Sequence, residues 1–307
     1  MTGIQWTEEV WNPTTGCDRV SPGCDHCYAL TMAKRLKGMG QAKYQRDGNP
    51  RTSGPGFGLT VHRDALEIPL RWRKPRRVFV NSMSDLFHDE VPDAFIAAVF
   101  TVMAKAPQHT FQILTKRHGR MRSLLNSQGF HVFAATAAAT RGWDLEGIPW
   151  PLPNVHLGVS VEDQKWADIR IPALLATPAA VRWLSCEPLL GEVMLPALYD
   201  HIPWSATEFG TLCSCGAAML DEVRCNGDTI GWVVAGGESG PDARPCELDW
   251  LRSLRIQCAE TGTPFFLKQL GSTLGRRFGA DPKGGDIEFF PEDLRVREFP
   301  EARHAAA

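Results

Sequence analysis

No stretch of the sequence approaches the ~18 consecutive apolar residues that a membrane-spanning helix needs, so no transmembrane helix is expected. An excess of one charge is lacking too. Thirty-three basic against 35 acidic residues leave a net charge of −2, so the whole chain exerts no global pull on nucleic acid. The opening residues, Met1 to Val10, are polar and include Glu8 and Glu9. No secretory segment is read there, and the expected location is the cytoplasm. An even cysteine count is missing as well. Nine thiols in such a setting make disulfides the weakest reading. No internal repeat stands out beyond a βα rhythm.

What is present is an ordinary folded composition, 43% hydrophobic and 22% charged over 307 residues. That length suits one large α/β barrel or two ordinary domains. The most informative segment is WNPTTGCDRVSPGCDHCYA, in which Cys17, Cys24 and Cys27 form a C-x6-C-x2-C run followed at once by Tyr28. Three converging thiolates need a positive centre, because burying each anion unpaired costs several kcal/mol. Three ligands suit an iron–sulfur cluster that keeps one coordination position open. The competing reading is structural zinc, which wants four protein ligands, with His26, His62 or His88 as the fourth.

Short, continuous apolar runs recur at Val78–Val80, Phe111–Leu114, Val155–Val161, Val181–Leu184, Trp232–Ala235 and Phe265–Leu267. Such runs predict strands buried on both faces of a parallel sheet. Helical periodicity fills the spaces in PDAFIAAVFTVMAKAP and in LDWLRSLRIQCAETG, the latter stopped by Gly262. The expected fold class is therefore α/β, a complete or partial (β/α) barrel with inserted loops, as a single domain over residues 1–294. Residues 134–153 are expected to be an insertion or cover loop, residues 190–231 a second insertion, and residues 295–307 a disordered tail. Cys213, Cys215 and Cys225 read either as a second zinc knuckle, completed by His201, or as incidental thiols of a hairpin.

Function in such barrels gathers at the C-terminal strand ends. Those ends carry Asn81, Ser82, Ser84 and Asp85; Thr115, Lys116 and Arg117; Ser160, Glu162 and Asp163; Ser185, Cys186 and Glu187; Gly236 to Ser239; and Lys268 with Gln269. The glycines of GGESG would let backbone amides approach an anion. Six polar ends in succession favour one shared pocket over independent helix caps. The basic run RWRKPRR, Arg71 to Arg77, reads as a solvated loop or as a phosphate contact. A metal-dependent hydrolase using Asp85, Glu162, Glu187 and Glu238, or a zinc-stabilised barrel that binds nucleic acid, are the other classes these residues allow.

Taken in order, IQWTEEVWNPTTGCDRVSPGCDHCYA, RVFVNSMSDLFH, FQILTKR, VHLGVSVED, RWLSCEPLLG, WVVAGGESGPDARP and FFLKQLG resemble a phage-associated family of uncharacterised three-cysteine proteins. That family is related to radical S-adenosylmethionine enzymes, nearest to spore photoproduct lyase-like members. The resemblance spans about Ile4 to Gly271. It implies a 4Fe–4S cluster on Cys17, Cys24 and Cys27, with S-adenosylmethionine on the fourth iron. Tyr28 would flank the adenine, and Asn81, Ser82, Ser84 and Asp85 would meet the methionine amino group. Lys116, Ser160, Glu162 and Glu187 would line the rest of the pocket. Cys186 is the candidate hydrogen donor to a substrate radical, beside the alternative of a buried core thiol. Implied partners are a nucleic-acid base or modified nucleotide as substrate, an electron donor, and a three-Cys-motif partner protein. Two departures stand out: the first cysteine gap is six residues instead of three, and NSMSD replaces the glycine-glycine-glutamate block after the second strand.

Overall fold

The structure is a computed structural model that describes residues 4–198 and 229–300. It is an α/β fold whose principal sheet has seven strands in the order β1-β4-β5-β6-β7-β8-β9. The order runs from one end to the other without returning, so it is compatible with a partial (β/α) barrel. No helix among the described residues is long and apolar enough to cross a membrane.

The described chain falls into two compact units. In the first, β1 (Glu9–Trp11) is followed by a short antiparallel pair, β2 (Thr14–Thr15) with β3 (Thr60–Val61), which encloses α1 (Tyr28–Gly38). Next come β4 (Arg77–Val80), α2 (Asp93–Ala104), β5 (Thr110–Thr115), α3 (His118–Leu125), α4 (Gln128–Ala139) and β6 (Val155–Ser160). Strands β1, β4, β5 and β6 pair in parallel, with Val10 opposite Phe79, Val78 opposite Phe111 and Ile113 opposite Leu157. All six residues of β6 are buried, as a strand covered on both faces requires. The second unit holds α5 (Gln164–Leu175), β7 (Val181–Cys186), β8 (Ile230–Gly236), α6 (Leu248–Thr261), β9 (Phe265–Gln269) and α7 (Ser272–Arg277). Its three strands are parallel, and α6 ends at Gly262 in the left-handed conformation, φ 65°.

Every apolar run expected as a strand is one. Strand β1 was not expected. It is three residues long and begins with a glutamate, and only its register against β4 marks it as sheet. The alanine-rich start of the 134–153 segment is also helix, since α4 runs to Ala139. Alanine is the best helix former, and Ser127 caps the helix by accepting a hydrogen bond from the Phe130 amide. The tail is a further correction. Residues 295–300 are docked: Val296 accepts a hydrogen bond from the Leu267 amide at 2.9 Å, and Phe299 stacks on Trp232 with ring centres 5.8 Å apart. The charged letters of this stretch hide two apolar residues that cover the β9 side of the core. Cys213, Cys215, Cys225 and His201 lie outside the described residues.

Candidate functional site

The site begins where β1 and β4 end side by side. Asn81 takes a left-handed turn, φ 63°, directly after β4, a conformation that asparagine tolerates better than other side-chain-bearing residues. Its amide donates to the Trp11 carbonyl at 2.8 Å and its Nδ2 donates to Thr14 Oγ1 at 2.9 Å. The Ser84 hydroxyl lies 2.8 Å from both the Thr14 carbonyl and the Thr14 hydroxyl. Asn12 accepts from the Met83 amide at 3.2 Å. This lattice ties the NSMSD segment to the strand before the cysteines. Gly16 then donates to the Met83 carbonyl at 2.9 Å with φ 89°, and a Cβ there would sit 2.4 Å from the Gly58 carbonyl oxygen. Only glycine fits that crossing.

Cys17 follows. The Arg117 guanidinium, at the end of β5, donates to Cys17 Sγ at 3.4 Å. The same nitrogen is 3.5 Å from Asp85 Oδ2, both side chains being 8% exposed. Asp85 also accepts from Thr115 Oγ1 at 2.7 Å and from the Lys116 amide at 3.0 Å. Lys116 Nζ reaches Ser160 Oγ at 2.9 Å, so one lysine joins the ends of β5 and β6. Cys24 closes a single helical turn with Pro22, and Cys27 is the residue before α1. Cys17 and Cys27 pack against the same buried group, Ala29, Ala33, Phe57 and Met83. Tyr28 stays exposed while its hydroxyl donates to the Ser82 carbonyl at 2.6 Å.

Burial pushes the Cys17 thiol up to about 12; Asp85 adds to the shift and Arg117 opposes it. Burial raises Cys27 as well, and Cys24 adds a like-charge contribution to both. At neutral pH these thiols hold their protons. Among the described residues no three His, Cys, Asp or Glu side chains stand in ready-made metal-holding geometry. The donors present, Cys17 beneath the Arg117 guanidinium and Cys27 on the same buried group, are soft thiols of the kind that thiolate-bound clusters use. Of the candidate fourth zinc ligands, His88 and His62 are engaged elsewhere. His88 Nδ1 accepts from the Glu90 amide at 3.2 Å, so its Nε2 carries the proton that goes to Asp18 at 2.9 Å. His62 Nε2 is engaged with Thr15 Oγ1 at 2.9 Å.

In the second unit, the expected pocket residues are occupied. Glu162 and Arg170 are fully buried and meet at 2.7 Å, with the Arg170 guanidinium 4.0 Å over the Trp166 ring. Glu187 pairs with Lys268 at 3.0 Å. Glu238 is held by Arg244 at 2.6 Å and by its backbone amide at 2.9 Å. Asp163 caps α5 by accepting from the Trp166 amide. Asp85 is likewise paired with Arg117 in the first unit, so each carboxylate of the hydrolase reading already has a basic partner. Two amides of GGESG are engaged too. Gly237 donates to Gln269 and Gly240 to Ser272 Oγ. Gly237 is needed because a Cβ would lie 2.3 Å from the Leu270 carbonyl. Cys186 is 0% exposed and burial raises its thiol well above the usual range, the state of a core thiol.

The basic run sits at the other end of its strand. Arg77 opens β4, whereas the cysteine site lies beyond its C-terminal end. Arg76 is bonded to Glu9, and the Arg77 amide donates to Glu8 at 2.7 Å. Sequence reasoning missed Arg117 as the cysteine partner, although it stood among the strand-end residues. It also missed Asn12, Thr14 and Asp18, which no local pattern separates from ordinary turn residues.

No curated protein and no solved structure matches the chain. A family model does match, over residues 1–288, and on that extent the chain belongs to the family described as "Protein of unknown function (DUF5131)".

Proposed function

We propose that this protein is a radical S-adenosylmethionine-type iron–sulfur enzyme. The observation that carries the reading is the seating of Cys17 and Cys27 on one buried group, with Cys24 electrostatically linked to both, at the ends of β1 and β4. When bound, a 4Fe–4S cluster with S-adenosylmethionine would supply a one-electron cleavage of the sulfonium that yields a 5′-deoxyadenosyl radical. Cys17, Cys24 and Cys27 are its ligands in this reading. Arg117 donates to the Cys17 sulfur and offsets negative charge there. Such hydrogen bonds to sulfur help set a cluster's potential. Asn81 Oδ1 is buried without a hydrogen-bond partner among the described residues, an acceptor suited to the amino group of the cofactor. The Tyr28 hydroxyl is anchored on the Ser82 carbonyl, and Lys116 is fixed by Ser160.

Glu162 and Glu187 drop out of the cofactor set, since each already neutralises a basic side chain. The substrate proposed is a nucleic-acid base or modified nucleotide, by the family resemblance alone. The resemblance likewise proposes a three-Cys-motif partner protein.

Anaerobic reconstitution with iron and sulfide tests the reading. The expected product is brown, absorbs in the visible iron–sulfur band, loses that band in Cys24→Ala, and forms 5′-deoxyadenosine with reductant and S-adenosylmethionine. A colourless protein that holds a single tightly bound zinc ion overturns it.

A further inference from the structure

Strand pairing sets Phe79, Gln112 and His156 side by side. Phe79 is opposite Gln112 across β4 and β5, and Gln112 is opposite His156 across β5 and β6. Residues in register on neighbouring strands share a face, and so does every second residue along one strand. Gln112, Leu114 and Lys116 therefore form one column, and His156, Gly158 and Ser160 the next. The bond from Lys116 Nζ to Ser160 Oγ bridges the two columns at the strand ends, within the candidate site. At the opposite end Trp6 packs on the same face. Its ring lies edge-on to Phe79 at 4.7 Å, and its carbonyl accepts from Gln112 Nε2 at 3.4 Å.

Two atoms at the foot of these columns are left over. Gln112 Oε1 and His156 Nδ1 are buried without a hydrogen-bond partner among the described residues, which are 2% and 8% exposed. A buried polar atom without a partner is destabilising, and two in adjacent register call for something between them. Neither side chain is charged, since burial lowers His156 to about 4. Cover thins towards the strand ends. Leu114 is half-buried while Ile113 and Thr115 beside it are buried, and Gly158 adds no side chain.

We propose that Gln112 and His156 form the floor of the substrate pocket and recognise an uncharged amide group of a small molecule. The amide N–H donates to Gln112 Oε1, and the amide carbonyl accepts from His156 Nδ1. The inference rests on the iron–sulfur reading above only in calling that molecule a substrate, and it departs from the nucleic-acid substrate that resemblance alone proposes. An amide presents a donor beside an acceptor, which matches a glutamine carbonyl beside an imidazole whose proton can sit on either nitrogen. A carboxylate or phosphate would lose its water against a neutral floor and gain no countercharge there. Bases are held by stacking on aromatic rings, whereas these columns carry Leu114 and Gly158 between floor and strand ends. About 13 Å of strand separates Gln112 from Lys116, a depth that suits a small molecule.

The probes are benzamide and benzoate, alike in shape and different in charge. Each is titrated into the protein as purified, labelled with nitrogen-15 in its histidines, with the His156 signals assigned by their loss in His156→Leu. Benzamide is expected to shift both His156 ring nitrogens and to place the proton on Nδ1, while benzoate leaves them unmoved. Gln112→Leu and His156→Leu should each weaken benzamide binding about tenfold or more. The wild-type His156 signals decide the matter even where a variant fails to fold. Signals that ignore benzamide overturn the proposal and leave the floor to internal water. An equal response to benzoate overturns it as well, and so does a response to oligothymidylate alone, which assigns the floor to a base. If reconstitution yields no cluster while benzamide binds, the iron–sulfur reading fails and the amide site stands. A cluster that forms in a protein blind to benzamide removes the amide site alone.

Discussion

Glu162 and Arg170 meet in the interior with no exposed surface on either side chain, so removing one strands the other. Breaking a buried ion pair in this way costs about 3–5 kcal/mol. Arg170→Ala is therefore expected to lower the urea midpoint strongly, whereas Arg252→Ala, at an exposed pair with Asp293, should barely move it. His156 gives a pH signature. It is 8% exposed on β6, its Nδ1 has no hydrogen-bond partner among the described residues, and burial lowers it to about 4. A histidine with folded pKa about 4 and unfolded pKa near 6.5 takes up its proton only on unfolding between those values. Stability is then full above pH 6.5 and falls as pH drops towards 4, by about 3 kcal/mol in total from this group. Burial also lowers His62 and His109, which adds to the same slope. Replacing His156 with leucine should flatten the acid side of a stability-against-pH curve, measured by denaturant unfolding at each pH. An unchanged slope would show that His156 is not the group responsible.

At the scale of elements, the cysteine loop depends on a backbone crossing at Gly16. A methyl group 2.4 Å from the Gly58 carbonyl cannot be accommodated without moving one strand of the β2–β3 pair, and the left-handed φ adds a further penalty. Gly16→Ala is expected to reduce iron incorporation during reconstitution and to lower thermal stability, while Gly129→Ala, whose Cβ would meet nothing closer than 3.9 Å, should leave iron uptake unchanged. The six long strands were legible because each is a continuous apolar run, a pattern that parallel strands buried on both faces impose. Strand β1 was not, since three residues carry too little pattern and their pairing partner is almost seventy residues away. The same limit applies to the polar strand ends. Sequence placed Glu162, Glu187 and Glu238 where function gathers, but their neutralising partners Arg170, Lys268 and Arg244 are found only once helices and loops have folded back.

For the molecule as a whole, the described carboxyl-terminal segment is packed against the core. Residues 296–298 exchange backbone hydrogen bonds with Phe265 and Leu267 of β9, and Glu298 accepts from the Trp232 indole at 2.9 Å. A chain ending at Leu294 is expected to expose that flank and the Trp232 ring. Its melting temperature should fall by roughly 5–10 °C, since each kcal/mol corresponds to about 2–4 °C in a protein of this size. A truncated protein with an unaltered melting curve would show that the docked segment contributes nothing. The sequence by itself determined the α/β rhythm, the six main strands and the clustering of three cysteines before a helix, because periodicity and spacing are local properties written in consecutive residues. Only the tertiary structure decided that Arg117 reaches Cys17, that the acidic strand ends are already neutralised, and that the basic run lies at the far end of its strand. Those outcomes depend on side chains meeting only once the backbone has folded, whether six residues apart, as Glu238 and Arg244 are, or a hundred, as Cys17 and Arg117 are.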